Sequence, residues 1–326
     1  VSPEIATEFA KITVVLVIGR QRQRAQLALR SVMAQSNWHE MEVLLYDFNA
    51  AEHAPLLGAE HPQVTMVPCS GLPGMSVVMA AAVFQAQAPI VAFMEEHTEV
   101  LPGWGEAIVR AYADDDVGAV GPEMLPGSPG LGLTDWIDMV SFGVWSPPAS
   151  AGNVNQLRWQ NVTYRRSALL RYAVWLPWLF MSEGTLFQQL QADGHRLYLE
   201  PAAKMRHFHE RTPFSFLYGN LVSNWRSAAA RAAYLHYSRF DRLLRIGSSM
   251  RGIVANPARL LGVLRRSPGH QDRYRQARRH LPWIVLYYLF VSLGVMLGNL
   301  FGLAQMDVLF MDYELNQDRI VISEAA

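Results

Sequence analysis

The residues with most chemistry to offer stand directly after apolar stretches, where a strand or helix has to end. The densest group is Glu95-Glu96-His97, which follows the apolar run at 90–94. Carboxylate and imidazole together form a donor set for a divalent cation. Hard cations such as Mg²⁺ want oxygen ligands and Mn²⁺ tolerates imidazole better, so the pattern suits Mn²⁺ at least as well as Mg²⁺. The bland alternative is a solvated polar turn, but three ionisable residues in a row after a buried strand favour the functional reading. Asp47 is a lone acid closing the run at 42–46 and by itself reads equally well as a turn or cap residue. Glu183 follows an apolar stretch that holds Trp175 and Trp178. Burial there raises a carboxyl toward the range of a general base, whereas at a helix start it would be a carboxylate held by the dipole. Arg165 and Arg166 can hold a phosphate or be ordinary arginines at the start of a helix. Of His207 and His209 at most one is read as a site residue. A single cysteine, Cys69, excludes a disulfide framework and a cysteine-based zinc site; it reads as a quiet thiol near a strand end.

These side chains need a frame. The β-branched run at 12–18, ending on Gly19, reads as a buried parallel strand. Residues 25–34 have helical spacing, 42–46 form a second strand and 64–67 a third. An Ala-rich helix at 75–87 leads to a fourth strand at 90–94, then a helix at 103–113 and a strand at 118–120. Strands alternating with helices predict an α/β fold with a mostly parallel sheet and right-handed crossovers. In such sheets ligands sit beyond the carboxyl ends of the strands, so Asp47 and the 95–97 cluster are expected to face one crevice. Residues 125–152, rich in Pro and Gly, predict a long irregular loop of the kind that carries function. Helices resume at 167–170 and 183–192, followed by a short strand at 196–199, with His207 and His209 on a further segment.

With 326 residues the chain has room for one large α/β domain plus an appendage. Its formal net charge of zero hides a segregation of charge. From Arg239 to Arg279 there are eleven Arg against two acids, Asp241 and Asp272, while the last twenty residues carry five acids and only Arg319. Apolar residues interleave with the arginines, as in amphipathic membrane-surface helices. Residues 281–303 contain no charge, and about 20 apolar residues suffice to cross a hydrocarbon core. Trp283, Tyr287 and Tyr288 lie at the end nearest the Arg-rich stretch, where aromatics anchor at an interface. A buried helix or an in-plane segment remains the alternative. Nucleic acid is the rival partner for the arginines, and the adjacent uncharged run decides for membrane lipids. The expected division is a tail at 1–10, an α/β domain at 11–235, a basic membrane-surface region at 236–280, a transmembrane or interfacial helix at 281–303 and an acidic tail at 304–326.

Several segments, in order, resemble the family 2 glycosyltransferases of GT-A fold, over about residues 11 to 215. The first strand and the helix closing on Arg30-Ser-Val-Met-Ala-Gln-Ser36 are similar to that family's opening. Glu42-Val-Leu-Leu-Tyr-Asp47 resembles the strand whose terminal Asp contacts the nucleotide base. Phe93-Met-Glu-Glu-His97 with Pro102-Gly-Trp104 resembles the strand bearing the Asp-x-Asp motif and its downstream Pro-Gly-Trp. Asn161-Val-Thr-Tyr-Arg-Arg-Ser-Ala-Leu-Leu170 looks like the acceptor-side segment, and Glu183, Gly194 and His207 resemble the stretch with the catalytic acid and a later His.

The resemblance implies a nucleotide-sugar donor, a lipid-linked or glycan acceptor, Mn²⁺ or Mg²⁺, and transfer with inversion on the cytoplasmic face of a bacterial inner membrane. It implies nucleotide contacts at Gly19, Asp47 and Glu95, metal contact at His97 with Glu96 as the alternative ligand, and Glu183 as base. His207 and Arg165 would serve the phosphate or the acceptor. The chain departs from the pattern in three places. Ile18-Gly-Arg-Gln-Arg22 replaces Pro-Thr-Tyr-Asn-Arg, Met79-Ala80 replaces an Arg-Asn pair, and Glu95-Glu96-His97 occupies the Asp-x-Asp position. The rival readings are a catalytically degenerate GT-A domain serving as a membrane-bound scaffold and, more weakly, a nucleotidyltransferase.

Overall fold

Seven consecutive residues without a polar interruption except Thr13 form the first strand, and all seven are buried because both faces of the sheet are covered. The computed structural model describes residues 10–19, 21–50, 53–69, 74–127, 135–158, 161–208 and 212–303. In chain order the elements are β1 (Ile12–Ile18), α1 (Arg22–Met33), β2 (Met41–Asp47), β3 (Val64–Pro68), α2 (Met75–Gln85), β4 (Ile90–Glu95), β5 (Thr98–Val100), α3 (Trp104–Ala111) and β6 (Val117–Pro126). Then follow α4 (Asp135–Ser141), β7 (Gly152–Val154), β8 (Thr163–Arg165), α5 (Arg166–Leu170), α6 (Leu176–Met181), α7 (Glu183–Ala192) and β9 (Arg196–His207). The helices α8 (Pro213–Tyr234), α9 (Arg239–Arg266), α10 (Gln271–Arg279) and α11 (Leu281–Phe301) close the described chain.

The sheet runs β3-β2-β1-β4-β8-β6-β9-β5, with β7 added against β9. Its first half is parallel, as the alternation of strands and helices predicts. Beyond β4 the pairing is mixed: β8 enters antiparallel between β4 and β6, while β6 and β9 are parallel. The period of two on each strand divides the core into two layers. Val14, Leu16 and Ile18 pack with Ala28, Leu29, Trp104 and Ile108 of α1 and α3, and Val15 and Val17 pack with Val78, Val83, Phe180 and Leu186 of α2, α6 and α7.

Two expectations need revision. The described part of the 125–152 stretch contains α4 and leads into the short β7, so it is not irregular throughout. The strand expected at 196–199 continues to His207, because a register shift between Pro122 and Glu123 absorbs residues 201–203 as a bulge and lets β9 resume its pairing with β6.

The four C-terminal helices form a layer of their own on α4, through Trp136, Leu264, Ala277 and Ile284. Within it α11 packs against α8 and α9. Its Gly294 and Gly298 lie so close to α8 that a Cβ would come within 2.3 Å of the Leu221 and Trp225 carbonyl oxygens. Gly298→Val is therefore expected to force the two helices apart at a cost of about 2 kcal/mol. Thermal melts should show a loss of several degrees, and limited proteolysis should cut α11 before the sheet. A melt unchanged from wild type would show that this crossing contributes no stability.

Candidate functional site

The carboxyl ends of β1, β2 and β4 lie side by side, since Ile18 pairs with Asp47 and Val17 with Glu95. Asp47 and the 95–97 segment therefore share one end of the parallel half, as the sequence predicts. Immediately after β4 the chain turns through Glu96 and His97 into β5, which pairs antiparallel with the end of β9 so that Thr98 stands opposite His207. The Phe208 N–H donates to the His97 carbonyl at 3.0 Å. This short ladder delivers His207 to His97. Their Nε2 atoms are 3.1 Å apart, and the Glu95 Oε2 lies 3.1 Å from the His207 Nε2 and 3.5 Å from the His97 Nε2.

Asn161 holds the turn. It is buried and takes a positive φ of 63°, a conformation that Asn tolerates better than most residues. Its Oδ1 accepts from the Glu95 N–H and the Thr98 hydroxyl, both at 3.1 Å, and its Nδ2 donates to the Glu95 Oε2 at 3.3 Å. The Thr98 hydroxyl also donates to the Glu95 carbonyl at 2.7 Å. Asn161 thus fixes both the backbone of the turn and the aim of the Glu95 carboxylate. In the sequence Asn161 is only the first residue of the segment that resembles an acceptor side, and the one signal of its role is an amino acid that accepts left-handed backbone.

Three donor atoms separated by 3.1–3.5 Å match one face of an octahedron, whose edges are about 3.0 Å for bonds of about 2.1 Å. Glu95, His97 and His207 form the group with metal-binding geometry among the described residues. The site is closed on one side by the Phe142 ring, 5.1 Å from that of His207.

Glu183 begins α7 and is buried. Burial, and then the negative charge of Glu95, hold its carboxyl well above the usual range, with the Tyr164 hydroxyl beside it offsetting part of the rise. The expected burial is present and more complete than the sequence suggested.

Four expected site residues, Glu96, Gly19, Asp47 and Arg165, are engaged by the chain itself. Glu96, the alternative metal ligand, lies in the turn after β4, away from the imidazoles, and accepts the Gly19 N–H at 2.7 Å. Gly19 is accordingly engaged through its amide by the chain itself. Asp47 is fully buried, and its two carboxylate oxygens accept from Arg22 at 2.6 Å and from the Asn49 N–H at 2.9 Å, so in this state it faces the protein and not open space. Arg165 is at the opposite end of the strands from this cluster. β8 runs antiparallel, pairing Arg165 with Ile90 at the start of β4, and the guanidinium donates to the carbonyls of Val117, Tyr112 and Asp114. Arg166 likewise donates to Val83 and Phe84. His209 lies outside the described residues. Burial pushes the Cys69 thiol up to about 12, in keeping with an inert role.

No protein-family model and no curated protein sequence matches this chain. Among solved structures it is similar to the mannosyltransferase PcManGT from Pyrobaculum calidifontis in complex with GDP-Man and Mn²⁺, with 15% identity and a TM-score of 0.54 over 89% of this chain and 88% of that one. It also aligns with GalNAc-T7 bound to UDP, GalNAc and Mn²⁺, at 11% identity and a TM-score of 0.47, over 62% of this chain and 43% of that one. The chain thus spans less than half the length of GalNAc-T7. The likeness to the mannosyltransferase establishes the fold, an α/β sheet of GT-A type flanked by helices.

Burial pushes the Glu96 carboxyl up to about 7 despite the Gly19 N–H and the neighbouring Arg24 and Arg22, which pull it down. A folded-state pKa raised above the ordinary 4.5 contributes stability that is present below about pH 4.5 and lost as the pH rises through about 7. Part of the side chain still touches solvent, so the loss amounts to at most about 2 kcal/mol. Glu96→Gln should flatten this dependence, and melting curves at pH 5 and pH 8 measure it. A wild-type Tm that falls no further between those two values than that of the variant would refute the assignment.

Proposed function

We propose that this chain is a membrane-associated glycosyltransferase that moves a sugar from a nucleotide-sugar donor to a lipid-linked or glycan acceptor, with inversion and with a divalent cation. The observation that carries the reading is the Glu95–His97–His207 triangle at the carboxyl end of a GT-A-type sheet, with the buried Glu183 carboxyl near enough to feel the charge of Glu95. These three residues would hold the cation, whose chemistry is to neutralise a leaving diphosphate as a Lewis acid. Two imidazoles and one carboxylate favour Mn²⁺ over Mg²⁺. The Mn²⁺ in the similar Pyrobaculum calidifontis mannosyltransferase supports that choice, and its GDP-Man supports a nucleotide-sugar donor.

The chain's own residues do the remaining work. Asn161 keeps the Glu95 carboxylate on the cation side of the turn. Glu183 takes the proton from the acceptor hydroxyl, its carboxyl held more basic than usual by burial and by the charge of Glu95. Asp47, steadied by Arg22, and Gly19, tied to Glu96, border the donor side at the ends of β2 and β1. The Arg-rich surface of α9 and α10 matches the anionic cytoplasmic leaflet of a bacterial inner membrane, where a lipid-linked acceptor would be met.

Transfer or donor hydrolysis, followed with a panel of UDP- and GDP-sugars and Mn²⁺, tests the reading. His97→Ala and His207→Ala are each expected to lower turnover at least about 100-fold and to abolish Mn²⁺ binding in calorimetry. Asn161→Gly keeps the backbone's access to positive φ and removes only the side-chain bonds, so Mn²⁺ should bind about 10- to 100-fold more weakly. Glu183→Gln should cut turnover by about 100-fold or more while leaving Mn²⁺ affinity within about threefold. Unchanged turnover in both histidine variants would sink the site assignment. The rival reading, a catalytically silent GT-A domain acting as a membrane-bound scaffold, draws on the contacts that occupy Asp47 and the Gly19 amide. Absence of any donor binding with Mn²⁺ present would favour it.

A further inference from the structure

The apolar α11 is the obvious candidate for a membrane anchor: 21 residues, long and apolar enough to cross a bilayer, with a third of its most apolar window buried inside the protein. Its contacts speak against that role. Gly294 and Gly298 press it against the α8 backbone, and the Trp225 indole of α8 donates to the Gly302 carbonyl at 2.8 Å. On the other side Arg242 of α9 donates to the Asn299 carbonyl at 3.1 Å, and the Ser292 hydroxyl donates to the Ser249 carbonyl at 2.7 Å. A crossing helix would have to abandon these bonds or carry Asn220, Asn224 and Arg226 of α8 and Arg242 of α9 into hydrocarbon, where charged and polar groups are costly. α8 in turn is tied to the sheet domain, through Ser227 to Ser182 at 3.4 Å and Arg231 to Gln188 at 3.0 Å.

The surface left over belongs to α9. Of its 28 residues only Gly252, Pro257 and Leu264 are buried. Phe240, Leu243, Leu244, Met250 and Val254 are 45–75% exposed, and at 100° per residue they form one stripe. Arg242 and Ser249, seven residues apart and both bonded to α11, define the opposite face, so the stripe points away from the protein. From sequence alone the apolar residues interleave with arginines along the whole segment. In the structure Leu264 is buried and Leu260 and Leu261 pack inward against Trp136 and Ile284, which confines the exposed stripe to the first half. Exposed Arg239 and Arg251 accompany it, while Arg245 lies on the other side of the helix, over the Tyr237 ring at 5.3 Å. The two acids of the Arg-rich stretch are spent locally: Asp241 closes the capping box with Ser238, and Asp272 pairs with Arg275 at 2.8 Å.

We infer that the protein docks in one leaflet through the Phe240–Val254 stripe of α9, against an anionic lipid surface, with α11 as an internal brace that does not cross the bilayer. Apolar side chains between arginines fit the headgroup boundary of such a membrane, the side chains entering the acyl region and the guanidinium groups meeting lipid phosphates. The inference rests on the membrane-associated part of the proposed function and is independent of the chemistry at Glu95.

Flotation of the full chain with vesicles tests it. Wild type should bind phosphatidylglycerol-containing vesicles, bind pure phosphatidylcholine vesicles at least about tenfold more weakly, and lose binding as salt rises. Leu243→Gln combined with Leu244→Gln, both at exposed positions, should lower binding about tenfold or more, whereas Leu300→Gln on α11 should change it less than about twofold. Alkaline carbonate should strip wild type from cell membranes. Carbonate-resistant protein would show that α11 spans. Equal flotation of wild type and the α9 double variant would overturn the assignment of the stripe. A wild-type dimer in light scattering that the double variant converts to monomer would assign the stripe to a second copy of the chain instead. Donor hydrolysis and Mn²⁺ binding without vesicles should be the same in wild type and the α9 variant, so a failure of the transferase reading appears there and not in flotation.

Discussion

The pairing of Thr98 with His207 is the constraint on which the candidate site depends. β5 has only three residues and would not persist alone, since an isolated short strand closes too few bonds to offset the entropy of ordering it. It is held from both sides, by the end of β9 and by Asn161, which grips the turn before it. Glu95 comes from a parallel strand in the first half of the sheet and His207 from the last strand, more than a hundred residues later. No local propensity brings them together. The bulge at 201–203 makes the meeting possible, because without it β9 would reach β5 in a different register and a slip of one residue would turn His207 to the other side.

The same region shows how burial sorts neighbouring carboxyls. Glu95 and Glu96 are adjacent in sequence, yet one faces two imidazoles and the other a backbone amide with two guanidinium groups nearby. Glu183 is buried with a carboxylate for company, and both burial and that charge raise its pKa. A positive charge among Glu95, His97 and His207 would offset the Glu95 charge and ease the ionisation of Glu183, whereas Glu96 already has its positive neighbours in Arg22 and Arg24. The two raised carboxyls therefore answer to different things. Glu96 reports on the integrity of the β1–β4 junction, and Glu183 on the charge state of the three-residue cluster.

The parallel half of the sheet was legible because strands buried on both faces are mostly apolar, and β1, β2 and β4 each hold an unbroken apolar run of four or five residues. The site was legible in part. Glu95 ends β4, but Glu96 and His97 lie in the turn that follows, where strand alternation no longer says which way a side chain points, so the choice between them as metal donor is made by the fold. β8 was not legible, because three residues carry no periodicity and its direction is set by what it lands between. That direction is what removes Arg165 from the site. The tail of β9 was hidden by Pro201 and by the alternating polar residues that follow it. The role of Asn161 has no sequence pattern beyond an amino acid that accepts left-handed backbone. In α9 the composition announced an amphipathic helix, but which half faces inward depends on Trp136 and Ile284, over a hundred and about twenty residues away.

α8 connects the two regions. It starts shortly after β9 delivers His207, and along its length it touches both Ser182, next to Glu183, and the glycines of α11. A helix of 22 residues is about 33 Å long, and interiors packed at crystal-like density transmit displacement and do not absorb it. α8 therefore fixes the distance from the start of α7 to the α9–α11 pair as a strut does. If α9 lies on lipid, the height of Glu183 above that surface is set by α8 and the close crossing at Gly294 and Gly298, not by a flexible linker. Such a design suits an acceptor whose reactive group stands at a fixed height above a leaflet, and it gives the tight glycine contacts of α11 a purpose that an anchor spanning the bilayer would not need.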